Sequence, residues 1–354
     1  MSGAAVVSGI GSCLPQRAVS NDDLAARMDT SAEWIVSRTG ISQRYFASSG
    51  SATSDLAVGA GGQALKSSGQ GTVDVVALAT TTPDRVCPAT APDVAARLGL
   101  TGVAAYDVAA ACSGFVYALA TAAGLIVTGT AASALVIGAE TYSSILNPAD
   151  RSTSVIFGDG AAAVTLRAGD PDEPGAIGGF DLGSDGNGRD LITVRAGGSE
   201  QRLSGMQCGP GDHFLVMEGR QIFWHAVTRM AGSVRAVLSR AGLSIEEIQW
   251  LVGHQANARI LRSLADELGI ASERSIVNIA SVGNTAAASI PLALADAYAQ
   301  GRLRPGDRIV LTAFGAGLTW GSTVLTWPAL AEPGSAPALP GSHASRHTAG
   351  YPAP

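Results

Sequence analysis

The sequence predicts an α/β fold built twice. Three observations carry that expectation. Short β-rich apolar runs alternate with Ala- and Leu-rich helical patterns, the same order of elements returns after roughly 170 residues, and 354 residues suffice for two fused units of ordinary domain size.

In the first unit, residues 73–78 read as a strand and residues 96–100 close the next helix. A strand over 105–108 runs into Cys112, a helix follows, and strands at 134–138 and 162–166 complete the set. The second unit repeats this with a strand at 249–254, a helix closing at 266–270 and a strand at 275–278 that runs toward Asn284. A further helix and strands at 308–312 and 322–326 follow. The repeat makes Cys112 and Asn284 look like matching positions. The expected organisation is an N-terminal half over 1–170, a C-terminal half over 171–328 and a disordered tail over 329–354. Five prolines and no apolar periodicity mark that tail. Packing the halves about a pseudo-dyad brings their helix starts and strand ends to one place.

Composition removes several function classes. Charged residues are 15% of the chain against roughly 25% in average soluble proteins, which describes an interior-rich globule. A net charge of -6 without a run of Lys or Arg argues against nucleic acid and acidic lipid headgroups as partners. Lys66 is the single lysine, so no Gly-Lys-Ser/Thr phosphate loop exists. Cys13, Cys87, Cys112 and Cys208 have neither zinc-site spacing nor the density of a disulfide scaffold, so no metal is expected and a reducing cytoplasm is. The N-terminus lacks the basic segment of a secretory signal. Residues 108–139 carry no charge, but Gly114, Gly124 and Gly129 interrupt them, as suits a buried strand, helix and strand and not a membrane span.

Few residues remain that could do chemistry. Cys112 stands between an apolar strand and an uncharged helical pattern, where unpaired N–H groups and the helix dipole favour a thiolate; a buried structural cysteine fits the position too. Of five histidines, His343 and His347 lie in the tail, and His225 reads as a packed or rim residue. His254 ends a buried strand, where parallel sheets display functional groups, although a structural histidine fits there as well. Asn284, by itself, reads as a helix cap.

Taken together, these segments resemble β-ketoacyl-acyl-carrier-protein synthase III, the initiating condensing enzyme of the thiolase superfamily. The resemblance rests on residues 29–41 around Trp34 and Arg38, the 109–115 run around Cys112, and Ile156-Phe157-Gly158-Asp159-Gly160-Ala161. It continues through Gly253-His254-Gln255-Ala256-Asn257, residues 281–291 around Asn284, and residues 313–322 around Gly315-Ala316-Gly317, covering about residues 7–327 in order.

The resemblance implies a thiolase-like fold with mixed, mainly parallel sheets in an α/β/α/β/α arrangement, and a homodimer. It implies that Cys112 takes an acyl group from acyl-CoA, and that decarboxylation of malonyl-acyl carrier protein supplies the enolate that attacks it. His254 and Asn284 would stabilise that enolate, and the backbone N–H groups of Cys112 and Ala316 would form an oxyanion hole. No cofactor is implied. Trp34, Arg38 and Arg151 would bind CoA, and Arg259 would dock the carrier protein. Cys87 stands where acetyl-preferring members often place Phe, beside the primer pocket at the dimer interface, which predicts room for longer or branched primers. Trp224, Asp266 and Glu267 occupy positions that are often basic in the docking patch. Two other readings are an acyltransferase that passes the Cys112 acyl group to an alcohol or amine, and a non-catalytic partner subunit. The intact Cys112, His254 and Asn284 speak against both.

Overall fold

The structure, a computed structural model, describes residues 3–205 and 207–330. Beyond Leu330, the expected tail lies outside the described residues. The first half runs β1 (Ala4–Cys13), β2 (Arg17–Ser20), α1 (Asn21–Ala25), α2 (Ala32–Thr39), β3 (Gln43–Phe46) and α3 (Thr53–Ser68). It continues through β4 (Val75–Ala79), α4 (Ala91–Arg97), β5 (Ala104–Val108), α5 (Gly114–Val127), β6 (Ser133–Glu140) and β7 (Gly160–Gly169). The second half runs β8 (Ile177–Ser184), β9 (Ile192–Thr193), α6 (Ser199–Leu203), β10 (Val216–Met217), α7 (Gly219–Ala241) and β11 (Trp250–Gly253). It ends with α8 (Ala258–Leu268), α9 (Ile279–Val282), α10 (Ser289–Ala299), β12 (Arg308–Gly315) and β13 (Thr319–Thr326).

Beside the two-stranded ribbons β2-β3 and β9-β10, two large sheets result, in the orders β1-β7-β6-β4-β5 and β8-β13-β12-β11. Both are mixed. Pairing is parallel where a helix crosses between strands, at β4/β5, β4/β6 and β11/β12, and antiparallel in the other four pairs. The expected strand at 275–278 shrinks to a single bridge from Ser275 to Leu251. A side chain has taken over its ladder: Gln255 donates through Nε2 to the Ile276 carbonyl at 3.2 Å and accepts the Asn278 N–H at 3.0 Å.

The layering follows from hydrophobicity. α5, apolar on all sides, packs against strands of both sheets, and α10 lies beside it in the central layer. Phe115, Leu119, Ile290, Leu294, Val136 and Leu311 belong to one buried cluster there. α3 and α4 cover the outer face of the first sheet, while α7 covers that of the second and carries α8. This central position accounts for the uncharged run at 108–139. Among the described residues, no helix is long and apolar enough to cross a membrane.

The central elements of the two halves share one sequence offset, and this corrects one expectation. β4 and β11 begin at 75 and 250, β6 and β12 at 133 and 308, and the short 3-10 turns before α5 and α10 at 111 and 286, each 175 apart. Cys112 therefore matches Ala287, and Asn284 matches Ala109. Asn284 lies three residues before the position that the sequence repeat assigned to it. The backbone marks the true register, because Ala111 (φ 44°) and Ala286 (φ 46°) both adopt the left-handed conformation that alanine avoids.

The two turns meet at the pseudo-dyad, where there is no spare volume. A Cβ on Gly138 of β6 would stand 2.5 Å from the Ala287 carbonyl oxygen. Gly138→Ala should therefore lower stability by about 1 to 3 kcal/mol through overpacking. An unchanged melting temperature would show that the turns are not in this contact.

Candidate active site

Cys112 sits in the 3-10 turn Ala111–Ser113 that leads into α5, with 9% of its surface exposed. The left-handed Ala111 aims it at the dyad. The helix start was expected to favour the thiolate, but burial outweighs it. Desolvation, reinforced by the nearby Glu140 carboxylate, pushes the thiol up to about 12, against smaller lowering effects from its own backbone N–H and Tyr142. The resting Cys112 side chain is a neutral thiol.

His254 follows β11 and is held by its backbone N–H bond to the Thr312 carbonyl at 2.8 Å. Its side chain is buried, which pulls its pKa down to about 3, so the imidazole is neutral at ordinary pH. Nδ1 lies 2.7 Å from Oγ of Ser289, the first residue of α10. The same oxygen accepts the Gln255 N–H at 3.3 Å; in the tautomer where the Ser289 hydroxyl donates to Nδ1, the imidazole proton sits on Nε2. No local pattern marks Ser289, since its partner lies 35 residues away.

Asn284 is fixed by its backbone. Its N–H donates to Ile156 and its carbonyl accepts from Gly158, both at 2.9 Å, as in a short parallel strand pair. Its Oδ1 accepts the Ala286 N–H at 2.9 Å, which leaves Nδ2 as the free donor end. The Phe157-Gly158-Asp159-Gly160 turn thus carries Asn284. Beneath it lies Arg44, fully buried, bonded to Asn21 Oδ1 at 2.7 Å and to the Val155 carbonyl at 2.8 Å. Burial lowers its pKa to about 10, still charged at neutral pH.

The turn after β12 closes the site. A Cβ on Gly315 would stand 2.8 Å from the Cys112 backbone nitrogen, so only glycine permits this approach. Thr319 clamps the same contact through Ser113 Oγ at 2.6 Å and the Ala110 carbonyl at 3.1 Å.

Cys112, His254, Asn284 and Ala316 consequently line one cavity of about 130 Å³, with Tyr142, Phe157 and Phe314 among its apolar walls. Gly219, Phe223 and Asn257 join it to an outer cleft that also holds Arg38, Arg220 and Arg259. The Asn257 side chain donates to the Arg38 carbonyl at 3.1 Å, tying α2 to the start of α8. Trp34 and Arg151 stack with the guanidinium 5.1 Å from the ring centre, outside the cavity. A second cleft adjoins the cavity at Tyr142, Ile192 and Ala316 and is bordered by Asp84 and Val86. Cys87, beside Val86, is exposed and does not line the cavity of its own chain. Glu267 pairs with Arg235 at 2.8 Å, which offsets its charge on the α8 surface.

Comparison with known proteins agrees with this geometry. The 3-oxoacyl-[acyl-carrier-protein] synthase III profile matches residues 106–186, and the profile of its C-terminal part matches residues 238–327. β-Ketoacyl-[acyl-carrier-protein] synthase III 3 of Streptomyces coelicolor is 61% identical over 93% of this chain and 99% of its own length. The crystal structure of 3-oxoacyl-(acyl carrier protein) synthase III from Pseudomonas aeruginosa superposes with a TM-score of 0.87 at 52% identity, covering 93% of this chain and 99% of that one. A priming β-ketosynthase from the R1128 polyketide pathway gives 0.85 at 32% identity, covering 92% and 96%. With its doubled α/β architecture and a cysteine, a histidine and an asparagine on one cavity, the chain belongs to the β-ketoacyl-acyl-carrier-protein synthase III family of condensing acyltransferases.

Proposed function

We propose that this enzyme condenses an acyl-CoA primer with malonyl-acyl carrier protein, releasing carbon dioxide and giving a 3-oxoacyl-acyl carrier protein at the start of fatty-acid or polyketide synthesis. The convergence of Cys112, His254, Asn284 and the Ala316 backbone on one cavity carries the reading. In the first half-reaction Cys112 attacks the primer thioester, and its own N–H and that of Ala316 stabilise the carbonyl oxygen. In the second, decarboxylation leaves an enolate whose oxygen is met by Nε2–H of neutral His254 and Nδ2 of Asn284. Fixed donors in a water-poor site help most when charge develops in the transition state.

The outer cleft fits the rest of the substrate. Trp34 and Arg151 suit the adenine end of CoA, while Arg38 suits its phosphates and Arg259 the acidic carrier. The exposed Cys87 loop is read as reaching a second copy, which makes a homodimer the working assembly and places Cys87 beside the partner's primer pocket. Four unpaired cysteines suit a reducing cytoplasm. Transfer of the acyl group to an alcohol or amine would need no enolate donors, so His254 and Asn284 speak against it.

Intact-protein mass spectrometry after incubation with acyl-CoAs tests the first half-reaction. One acyl group should add to the wild-type chain and none to Cys112→Ala; normal acylation of that variant would remove Cys112 from its role. With acetyl-, butyryl- and isobutyryl-CoA, specificity constants should show a graded preference that extends beyond acetyl, since a methylene is worth about 1 to 3 kcal/mol. A strict acetyl preference would mean that another residue fills the space beside Cys87.

His254→Ala and Asn284→Ala should slow decarboxylation about 100- to 1000-fold and spare acylation. Because burial keeps His254 neutral, the wild-type decarboxylation rate should show no histidine inflection between pH 5 and 8. An inflection near 6.5 that disappears in His254→Ala would identify a titrating base instead.

A further inference from the structure

Arg44, the second residue of β3, is a cation that stability alone does not explain. It is completely buried, and among the described residues its hydrogen-bond partners are all neutral: Asn21 Oδ1 at 2.7 Å, the Val155 carbonyl at 2.8 Å and the Val19 carbonyl at 3.3 Å. Its Nε–H has no partner among those residues. A charge taken out of water without a countercharge, with one donor left over, costs free energy. What the guanidinium adds in return is a rigid fork that joins segments far apart in the chain.

Those segments are the ones that hold Asn284. Arg44 bonds to the Val155 carbonyl, the next carbonyl along, of Ile156, accepts the Asn284 N–H, and the Gly158 N–H donates to the Asn284 carbonyl. The Arg44 stem lies against the glycine on each strand of that pair. A Cβ on Gly283 would stand 2.9 Å from the Arg44 Cβ, and one on Gly158 3.0 Å. The chain on either side of Arg44 grips the same place, through the Ser42 N–H to the Ala280 carbonyl at 2.9 Å and the Asp159 N–H to the Tyr45 carbonyl at 2.8 Å. Asn21, the acceptor on the far side, is itself buried and fixed by its Nδ2 bond to the Ile41 carbonyl at 2.8 Å.

We propose that Arg44 is a positioning residue for decarboxylation: by clamping the Val155 carbonyl to Asn21 it sets the 155–158 segment, and with it the place where Asn284 presents Nδ2. Arg44 does not line the cavity and touches no reacting atom. Cys112 stands on the 111–113 turn, and His254 is held by Thr312 and Ser289, so neither depends on the clamp. The role therefore falls on one enolate donor, whose value rests on being held where the charge develops.

Because this role rests on the proposed condensation, one of its readouts needs no substrate. Arg44→Lys keeps the charge and loses the fork. It should slow carbon dioxide release from malonyl-acyl carrier protein about 10- to 100-fold, the scale of a misplaced group, and leave acylation of Cys112 by acetyl-CoA at the wild-type rate. In an Asn284→Ala background the same substitution should cost nothing further, since the donor it positions is gone. In the enzyme alone, hydrogen exchange at the Gly158 and Asn284 amides should quicken about 10- to 100-fold, the worth of one lost charge-assisted bond, while α5 keeps its protection.

If Arg44→Lys does not fold, Asn21→Ala keeps the arginine, removes one acceptor and should show a smaller loss of the same kind in each readout. A wild-type decarboxylation rate in the variant, equal slowing of both half-reactions, or an undiminished effect in the Asn284→Ala background overturns the role. Unchanged exchange at Gly158 and Asn284 overturns it as well. A wild-type enzyme that takes no acyl group and releases no carbon dioxide would overturn the condensation reading instead, and the exchange rates would still decide whether Arg44 holds Asn284.

Discussion

The close backbone contact between the halves at the pseudo-dyad is the constraint on which the site depends. Two alanines accept left-handed conformations there, each at a cost of about 1 to 2 kcal/mol, so that α5 and α10 can begin against each other. Gly138 and Gly315 remove the side chains that would hold the turns apart. Without that approach, Cys112 in the first half could not share a cavity with His254, Asn284 and Ala316 in the second.

Closeness also produces burial, and burial decides the protonation states. The cavity walls are largely apolar and both groups are buried, so the thiol rests as a neutral group and the imidazole carries no charge. Glu140 is held by threonines and backbone amides, the sort of environment that keeps a carboxyl buried without a countercharge.

Charge is kept outside. Arg38, Arg220 and Arg259 stand in the outer cleft at the starts of α7 and α8 and the end of α2, and Arg151 stacks on Trp34 nearby. Arg44 is the exception, a cation buried on carbonyl oxygens that supports the turn holding Asn284. Charged side chains at the mouth and an apolar interior are thereby separated along one passage.

By itself the sequence determined the doubled α/β architecture and the central helices, and it singled out Cys112, His254 and Asn284, which the fold brings to one cavity. Period, hydrophobicity and local motif are properties of short stretches of chain. It misjudged the register of the repeat by three residues, because turn conformation at Ala111 and Ala286 leaves no trace in residue type. Its strand at 275–278 was lost because a glutamine side chain can imitate a strand edge, which no pattern of apolar residues reveals. The Ser289 bond to His254, the Arg44 support and the enclosure of Glu140 by Thr80, Thr82 and backbone amides were decided by the tertiary structure alone. Hydrogen bonds and desolvation depend on which distant segments the fold brings within a few ångströms, and that distance is fixed only when the halves close.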